Sequence, residues 1–481
     1  IGILNALGMK RRKIEWHYIS YSFFSSTVGG IIGAILGVEV VGKLYTYTFA
    51  QFYTLPGWGI GTDKTFVICL LIVVAICISS SYLSCRKLLK VEPAEALRPA
   101  SPKTGKRSIF EKLSFWDRLS FSMQYNLRDV SRYKLRALMG VLGTMFGMMF
   151  MVCAFSCFTT IDKTVDWNFN KIAKYNSEAN FEKNISIGEA ERLAKKYDGE
   201  LLMNAKIELA KTKDAAFDEK KEGVLLVHEN KGLVNATNKK LEIEKIPEGT
   251  VSVSMKIADR LGIKVGDTVY WHLYDKDKWV KSKVGMINRN PTTYGITMDR
   301  ADFESLDEYK YKPNELVSMK KINKTESGYI TSAHTKKEIM KAFNETMEII
   351  NVMFAILLTF SSIFVLIVLY NSGKLSFNER IREFATLKVC GLSSKKIRKI
   401  LSQQNFIISV IGVATGAPLG KMMLQYMFDS NGDAWDYQVF VSARDYIASG
   451  ACVLIIAILV SFMFSRKIKN LDMVTTLKGM E

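Results

Sequence analysis

Histidine is scarce in this chain, and cysteine is missing from its whole polar middle. The four histidines, His17, His228, His272 and His334, stand far apart, and none has a metal-ligand neighbour at a useful spacing. All seven cysteines, Cys69, Cys77, Cys85, Cys153, Cys157, Cys390 and Cys452, fall in apolar runs or in the basic segments beside them. The polar middle therefore has no disulfides and must stand on its own core. Cys153 and Cys157 share a helix face, but a thiol pair in an apolar run without a third ligand reads as packing. Charge is also missing from the interiors of the apolar runs. Glu39, Lys43 and Lys421 sit toward their ends, and Asn351 is the only amide well inside the fourth. A carrier coupled to ions through a membrane relay needs ionisable groups near the midplane, so that mechanism is not expected. The stretch Gly37-Val-Glu-Val-Val-Gly42-Lys43-Leu44 imitates a phosphate-binding loop but ends in Leu where a hydroxyl should reach magnesium. No catalytic, cofactor or metal site is expected, and ATP hydrolysis, if used, must come from a partner chain.

What is present is hydrophobicity and positive charge together: 48% of the 481 residues are hydrophobic and the net charge is +19. A membrane protein segregates the two along the chain. Since roughly 20 apolar residues cross the hydrocarbon, six runs can span, near residues 16–42, 65–85, 137–160, 348–371, 402–427 and 446–465. Lys and Arg number thirteen in residues 86–136, eight in 373–400, and four each in 10–13 and 466–481. The short loops near 45–63 and 428–445 hold only Arg444. The basic segments are cytoplasmic by the positive-inside rule. The charge is mostly juxtamembrane and no recognition motif accompanies it, so nucleic acid is not an expected partner. The first residue is not Met and no cleavable signal is seen, so the expectation is a fragment of a longer protein, with six spans here and eight in full.

Residues 161–344 form a polar insert long enough to fold alone. Ser186 could cap a helix carrying Ala190, Leu193 and Ala194, and Met255 to Leu261 reads as another. Gly262 and Gly266 turn the chain into an aromatic and β-branched strand, with a second strand near Trp279 to Met286. The fold class is therefore an α-helical polytopic membrane protein with an inserted α+β extracytoplasmic domain. Residues 99–111 read as a basic linker. Within residues 112–136, Trp116, Leu119, Met123, Leu127 and Val130 recur at helical spacing, which reads as an amphipathic helix on the inner leaflet of the lipid bilayer, before the span at 137–160.

The chain also repeats itself. The segment from Ile1 through Leu4, Leu7, Gly8 and Met9 to Ile14 returns 383 positions later as Phe384, Leu387, Gly391, Leu392 and Ile397. The same offset carries Gly29, Gly33 and Gly37 onto Gly412, Gly416 and Gly420. These triplets, with Gly143 and Gly147 in the third span, predict close helix contacts. Pro418 predicts a kink that the first copy lacks. Beyond the next apolar segment, Val91 to Arg98 is echoed by Leu471 to Lys478. Internal duplication of a membrane unit follows. Residues 1–98 are the C-terminal part of a first unit and residues 345–481 a second. In each, a short helix of mixed charge between spans has the character of a lever that docks into another protein.

Glu383 to Ile397, its copy at Ile1 to Ile14, and Val91 to Arg98 resemble the FtsX-like permease domain of bacterial ABC transporters, the group that includes MacB and LolC. The resemblance covers residues 1–98 and 125–481, and Val251 to Tyr274 is similar, more loosely, to the extracytoplasmic domains of MacB-like members. It implies a multi-pass permease in the bacterial cell membrane, working with a separate ATPase dimer by mechanotransmission and without a continuous pore. It also implies ATPase docking through Leu4, Leu7, Gly8, Met9, Arg382, Glu383, Phe384, Leu387, Lys388, Gly391 and Leu392. MacB and LolC carry one such unit per chain, whereas this chain carries both halves, so one copy could hold two ATPase subunits. An extracellular peptide, lipoprotein or cell-wall enzyme is the expected outer partner. Two other readings stay open: a mechanotransmitter that controls a cell-wall hydrolase without transport, and a peptide sensor signalling to a histidine kinase.

Overall fold

A computed structural model describes residues 4, 7–50, 63–90, 111, 116–276, 278–306, 308–430 and 436–469. The basic linker, apart from Glu111, and the echo of Val91–Arg98 at Leu471–Lys478 lie outside the described residues. Among those described, six helices are long and apolar enough to cross a membrane: Arg11–Tyr47, Lys64–Leu89, Lys134–Ile172, Asn351–Asn378, Ser394–Asp429 and Ala443–Phe464, here the first to sixth spans. The chain divides into two compact units. One comprises residues 1–137, 374–404 and 463–481, the other residues 138–373 and 405–462.

In the first unit, the first and second spans form a pair. Ile14, Cys85 and Leu89 are buried between them with Leu4 and Tyr18 alongside, and Ser22 and Ser81 donate to the carbonyls of Cys77 and Tyr18 across the pair. Gly37–Gly42, the imitation phosphate loop, is a π-helical turn inside the first span. Its amides are spent in helical hydrogen bonds, so no cradle exists for a phosphate.

In the second unit, glycines bring the third span into close contact on two sides. Side chains at Gly143 and Gly147 would collide with Val368 and Val365 of the fourth span. Side chains at Gly412, Gly416 and Gly420 of the fifth span would collide with Thr144, Met145 and Val152 of the third. Lipid is as apolar as a side chain, so helices in a membrane associate through such close approach rather than through hydrophobic burial. Cys153 and Cys157 are buried nearby with Leu424 and Phe428. Pro418 lies inside the fifth-span helix. The equivalent triplet in the first span differs: among the described residues, nothing lies within 4 Å of where a side chain on Gly29, Gly33 or Gly37 would stand.

The insert of the second unit is built on nine strands, β1 Ser177–Phe181, β2 Glu200–Ala210, β3 Lys221–His228, β4 Val251–Ser254, β5 Thr268–Leu273, β6 Val280–Asn288, β7 Gly295–Asp299, β8 Glu315–Ser318 and β9 Ile330–Thr335. Their order is β3-β7-β4-β6-β5-β2-β8-β1-β9, and β2 also pairs with β3. That extra pairing closes six strands into a barrel, which sequence periodicity did not announce. Strand β2 serves two sheets because it is long: Glu200 to Leu202 pairs with β8, and Met203 to Leu209 pairs with β3. Alternate residues point inward, so Ile207, Leu209, Leu225, Val227, Val269, Trp271 and Val284 fill the barrel, and the Trp271 indole donates to Ser282 Oγ at 3.0 Å. The helix Ile187–Tyr197 starts where Ser186 Oγ accepts from the Glu189 amide, and buries Ala190, Leu193 and Ala194 against Leu201 and Leu316. The helix Met255–Leu261 and the strand entered after Gly266 are also present.

Two outcomes are expected. Gly416→Ala should lower the thermal unfolding temperature of the detergent-solubilised protein, because the new methyl meets the Met145 carbonyl, whereas Gly33→Ala should leave it unchanged. In the β domain, burial, reinforced by the Glu178 charge and opposed by a hydrogen bond from Asn204, pushes the Glu315 carboxyl up to about 7. The folded domain therefore holds a proton that the unfolded chain releases near its ordinary carboxyl range, and stability falls as pH rises between roughly 4.5 and 7, by about 3 kcal/mol at most. Glu315→Gln should remove that slope, read as a smaller difference between unfolding temperatures at pH 5 and pH 8.

Candidate functional site: a helix-ending turn built twice and a buried charged node

The sequence repeat is also a repeat of backbone geometry. The helix that runs to Val389 closes by a six-residue turn: the Leu392 amide donates to the Leu387 carbonyl at 2.9 Å and the Gly391 amide to that of Lys388 at 3.2 Å. Gly391 has φ +91°, a left-handed conformation that glycine adopts without steric cost. In the first copy the Met9 amide donates to the Leu4 carbonyl at 3.1 Å and Gly8 has φ +77°. The next helix then restarts in the same way twice. Lys13 and Ile14 donate to the Lys10 carbonyl, and Lys396 and Ile397 to that of Ser393. Ile14 and Ile397, one turn into each new helix, are both fully buried.

The second turn adjoins a buried polar node that the sequence reading missed. Arg380 has no exposed surface, and its Nη1 donates to Gln404 Oε1 at 2.7 Å. Gln404 Nε2 in turn donates to Asp129 Oδ2 at 2.8 Å, and Arg136 Nη2 donates to the same oxygen at 2.5 Å. Arg380 Nη1 lies 3.5 Å from that oxygen. The Arg380 guanidinium carbon stands 4.8 Å from the Tyr125 ring centroid and 4.9 Å from that of Phe384. Tyr125 donates to Glu383 at 2.7 Å, and Asn126 Nδ2 to the Ile400 carbonyl at 2.9 Å. A carboxylate out of water needs several donors, and a buried guanidinium needs a charge or ring faces; each supplies the other.

Asp129 and Asn126 belong to the helix Phe121–Arg132, which follows a short turn at Trp116–Arg118. The reading of one amphipathic helix from Trp116 onward thus becomes two pieces, and buried Asn126 and Asp129 are what fasten the second. The only signal in the sequence was that these polar residues sit among apolar ones at helical spacing.

The expected docking residues divide by exposure. Leu7 and Met9 are exposed, at 75% and 40%. Leu4, Glu383, Leu387, Lys388 and Leu392 are half-buried, and Gly8 and Gly391 are exposed. Phe384 is 1% exposed beneath the Arg380 guanidinium, so its side chain presents almost no surface. The Arg382 side chain lies outside the described residues. Val389, 61% exposed, and exposed Cys390 lie beside Gly391 at the tip, and the sequence reading passed over both. Glu383, held by Tyr125, is part of the node as much as of the tip.

Removing one partner of a buried pair leaves the other charge uncompensated, at a cost of about 3–5 kcal/mol. Asp129→Ala should therefore sharply lower the unfolding temperature of the solubilised protein. Asp129→Asn, which keeps an acceptor for Arg136 and Gln404, should cost less.

The FtsX-like permease C-terminal family model matches residues 1–93 and 355–473. Each matched segment includes one of the two turns and the spans that follow it. A comparison with curated proteins gives no match. Over both segments the chain is similar to FtsX-like permeases, and with its six apolar helices the match supports a multi-pass membrane component, an ABC-transporter-type permease or a relative of one.

Proposed function

We propose that this permease passes ATP-driven motion from two ATPase subunits, one docked on each turn, to the β domain on the outer face, where it exports or extracts a substrate in the MacB-like manner. The observation that carries the reading is the duplicated turn: the same exposed left-handed tip, with the same closing hydrogen bond and the same helix restart, recurs 383 residues apart in one chain. A tip that only joined two helices would not need to repeat its amides, its glycine and its buried isoleucine together. The span interiors are uncharged, which favours a drive from outside the membrane over an ion gradient. In this reading each permease chain supplies both levers, and the basic segments around them face the cytoplasm.

The test is the composition of the complex made with the cognate ATPase. Native mass spectrometry of the co-purified proteins should find two ATPase subunits for each permease chain. Leu7→Asp alone and Val389→Asp alone should each reduce that to one, and the double variant to none. Two ATPases retained by the double variant would sink the docking assignment, and a complex with two permease chains per ATPase pair would sink the claim that one chain suffices.

A further inference from the structure

Close beyond β6, Arg289 reaches out of the barrel to the loop that joins the fifth and sixth spans. Its Nε and Nη2 donate to the two carboxylate oxygens of Asp436 at 2.8 and 2.6 Å, and its Nη1 donates to Gln438 Oε1 at 2.5 Å. The two charged side chains are only 13% and 11% exposed. The main chain reinforces the contact: the Asp436 amide donates to the Pro291 carbonyl at 3.2 Å and the Arg289 amide to that of Thr237 at 2.8 Å. On its other side the loop is strapped to the membrane helices. Tyr437 packs on Phe428 of the fifth span with ring centroids 5.0 Å apart. The Phe440 amide donates to Thr160 Oγ of the third span at 3.2 Å, and beside it Thr159 of that span donates to Asp445 at the start of the sixth at 2.8 Å. A planar guanidinium held by both oxygens of one carboxylate resists rotation as well as separation, and low exposure protects it from screening.

We propose that Arg289 is a positioning strut, which passes displacement of residues 436–442, just before the sixth span, to the end of β6 in the barrel. The inference rests on the mechanotransmission reading above and adds the point at which the outer domain is moved. The strut needs no covalent step and no ligand. It works because the loop is fixed to two spans on one side and to a barrel strand on the other, so a shift of the helix ends has a stiff route into the sheet.

The experiment is hydrogen–deuterium exchange over residues 280–299 in the full permease–ATPase complex in nanodiscs, without nucleotide and with ATP plus vanadate. The wild type should change its exchange on trapping. Arg289→Gln should lose at least 80% of that change while the ATPase rate stays within twofold. The swapped pair Arg289→Asp with Asp436→Arg should recover at least half of it. A disulfide between Arg289→Cys and Asp436→Cys should retain the response when oxidised and lose it when reduced, which decides the matter if Arg289→Gln fails to fold. A full response in Arg289→Gln or in the reduced cysteine pair overturns the strut. Absence of any response in the wild type overturns the transmission reading itself, and the strut with it.

Discussion

An arginine with no exposed surface is the constraint around which the first unit is arranged. Arg380 cannot be neutralised by losing its proton, so the fold must bring it a carboxylate, an amide and two ring faces. Asp129 supplies the charge, Gln404 the bridge, and Tyr125 and Phe384 the faces. These residues come from helices far apart in sequence, and the arrangement fixes their register as a hydrophobic patch would not. An apolar contact tolerates sliding by part of a turn; a hydrogen bond near 2.7 Å does not.

The second unit uses the opposite device. Its spans are held where side chains are missing, at Gly143, Gly147, Gly412, Gly416 and Gly420, so the neighbouring helix packs straight onto the glycine backbone and dispersion does what charge does in the first unit. Above them the β domain uses neither. It closes its sheet on itself, and β2 is long enough to belong to two sheets at once. Closure leaves the barrel strands without free edges and lets a domain without a single cysteine hold its shape.

Exposed turns and tightly held contacts are divided along the chain. The turns at Gly8 and Gly391 present exposed tips on anchored helices, with Ile14 and Ile397 fully buried just beyond them. The bidentate pair of Arg289 and Asp436 is equally stiff at the barrel. The first-span face carrying Gly29, Gly33 and Gly37 is open, so the same sequence pattern occurs once in close contact and once without it.

The sequence by itself determined what local chemistry fixes. Hydropathy runs gave the six spans, since backbone in a membrane must satisfy itself within a helix. Glycine followed by a restarted helix gave the turns, since few other residues adopt a positive φ at that cost. Ser186 gave a helix start, and the absence of cysteine gave a domain without staples. Tertiary structure alone decided what depends on partners distant in the chain. Barrel closure by the pairing of β2 with β3 has no local signature, because the strands read the same whether the sheet closes or stays open. Phe384 looked like a docking residue because its apolar surface is visible in the sequence, while the Arg380 that covers it is not visible as a cover. Asp129 and Gln404 are 275 residues apart, and the need of one buried charge for another is settled only where the chain brings them together.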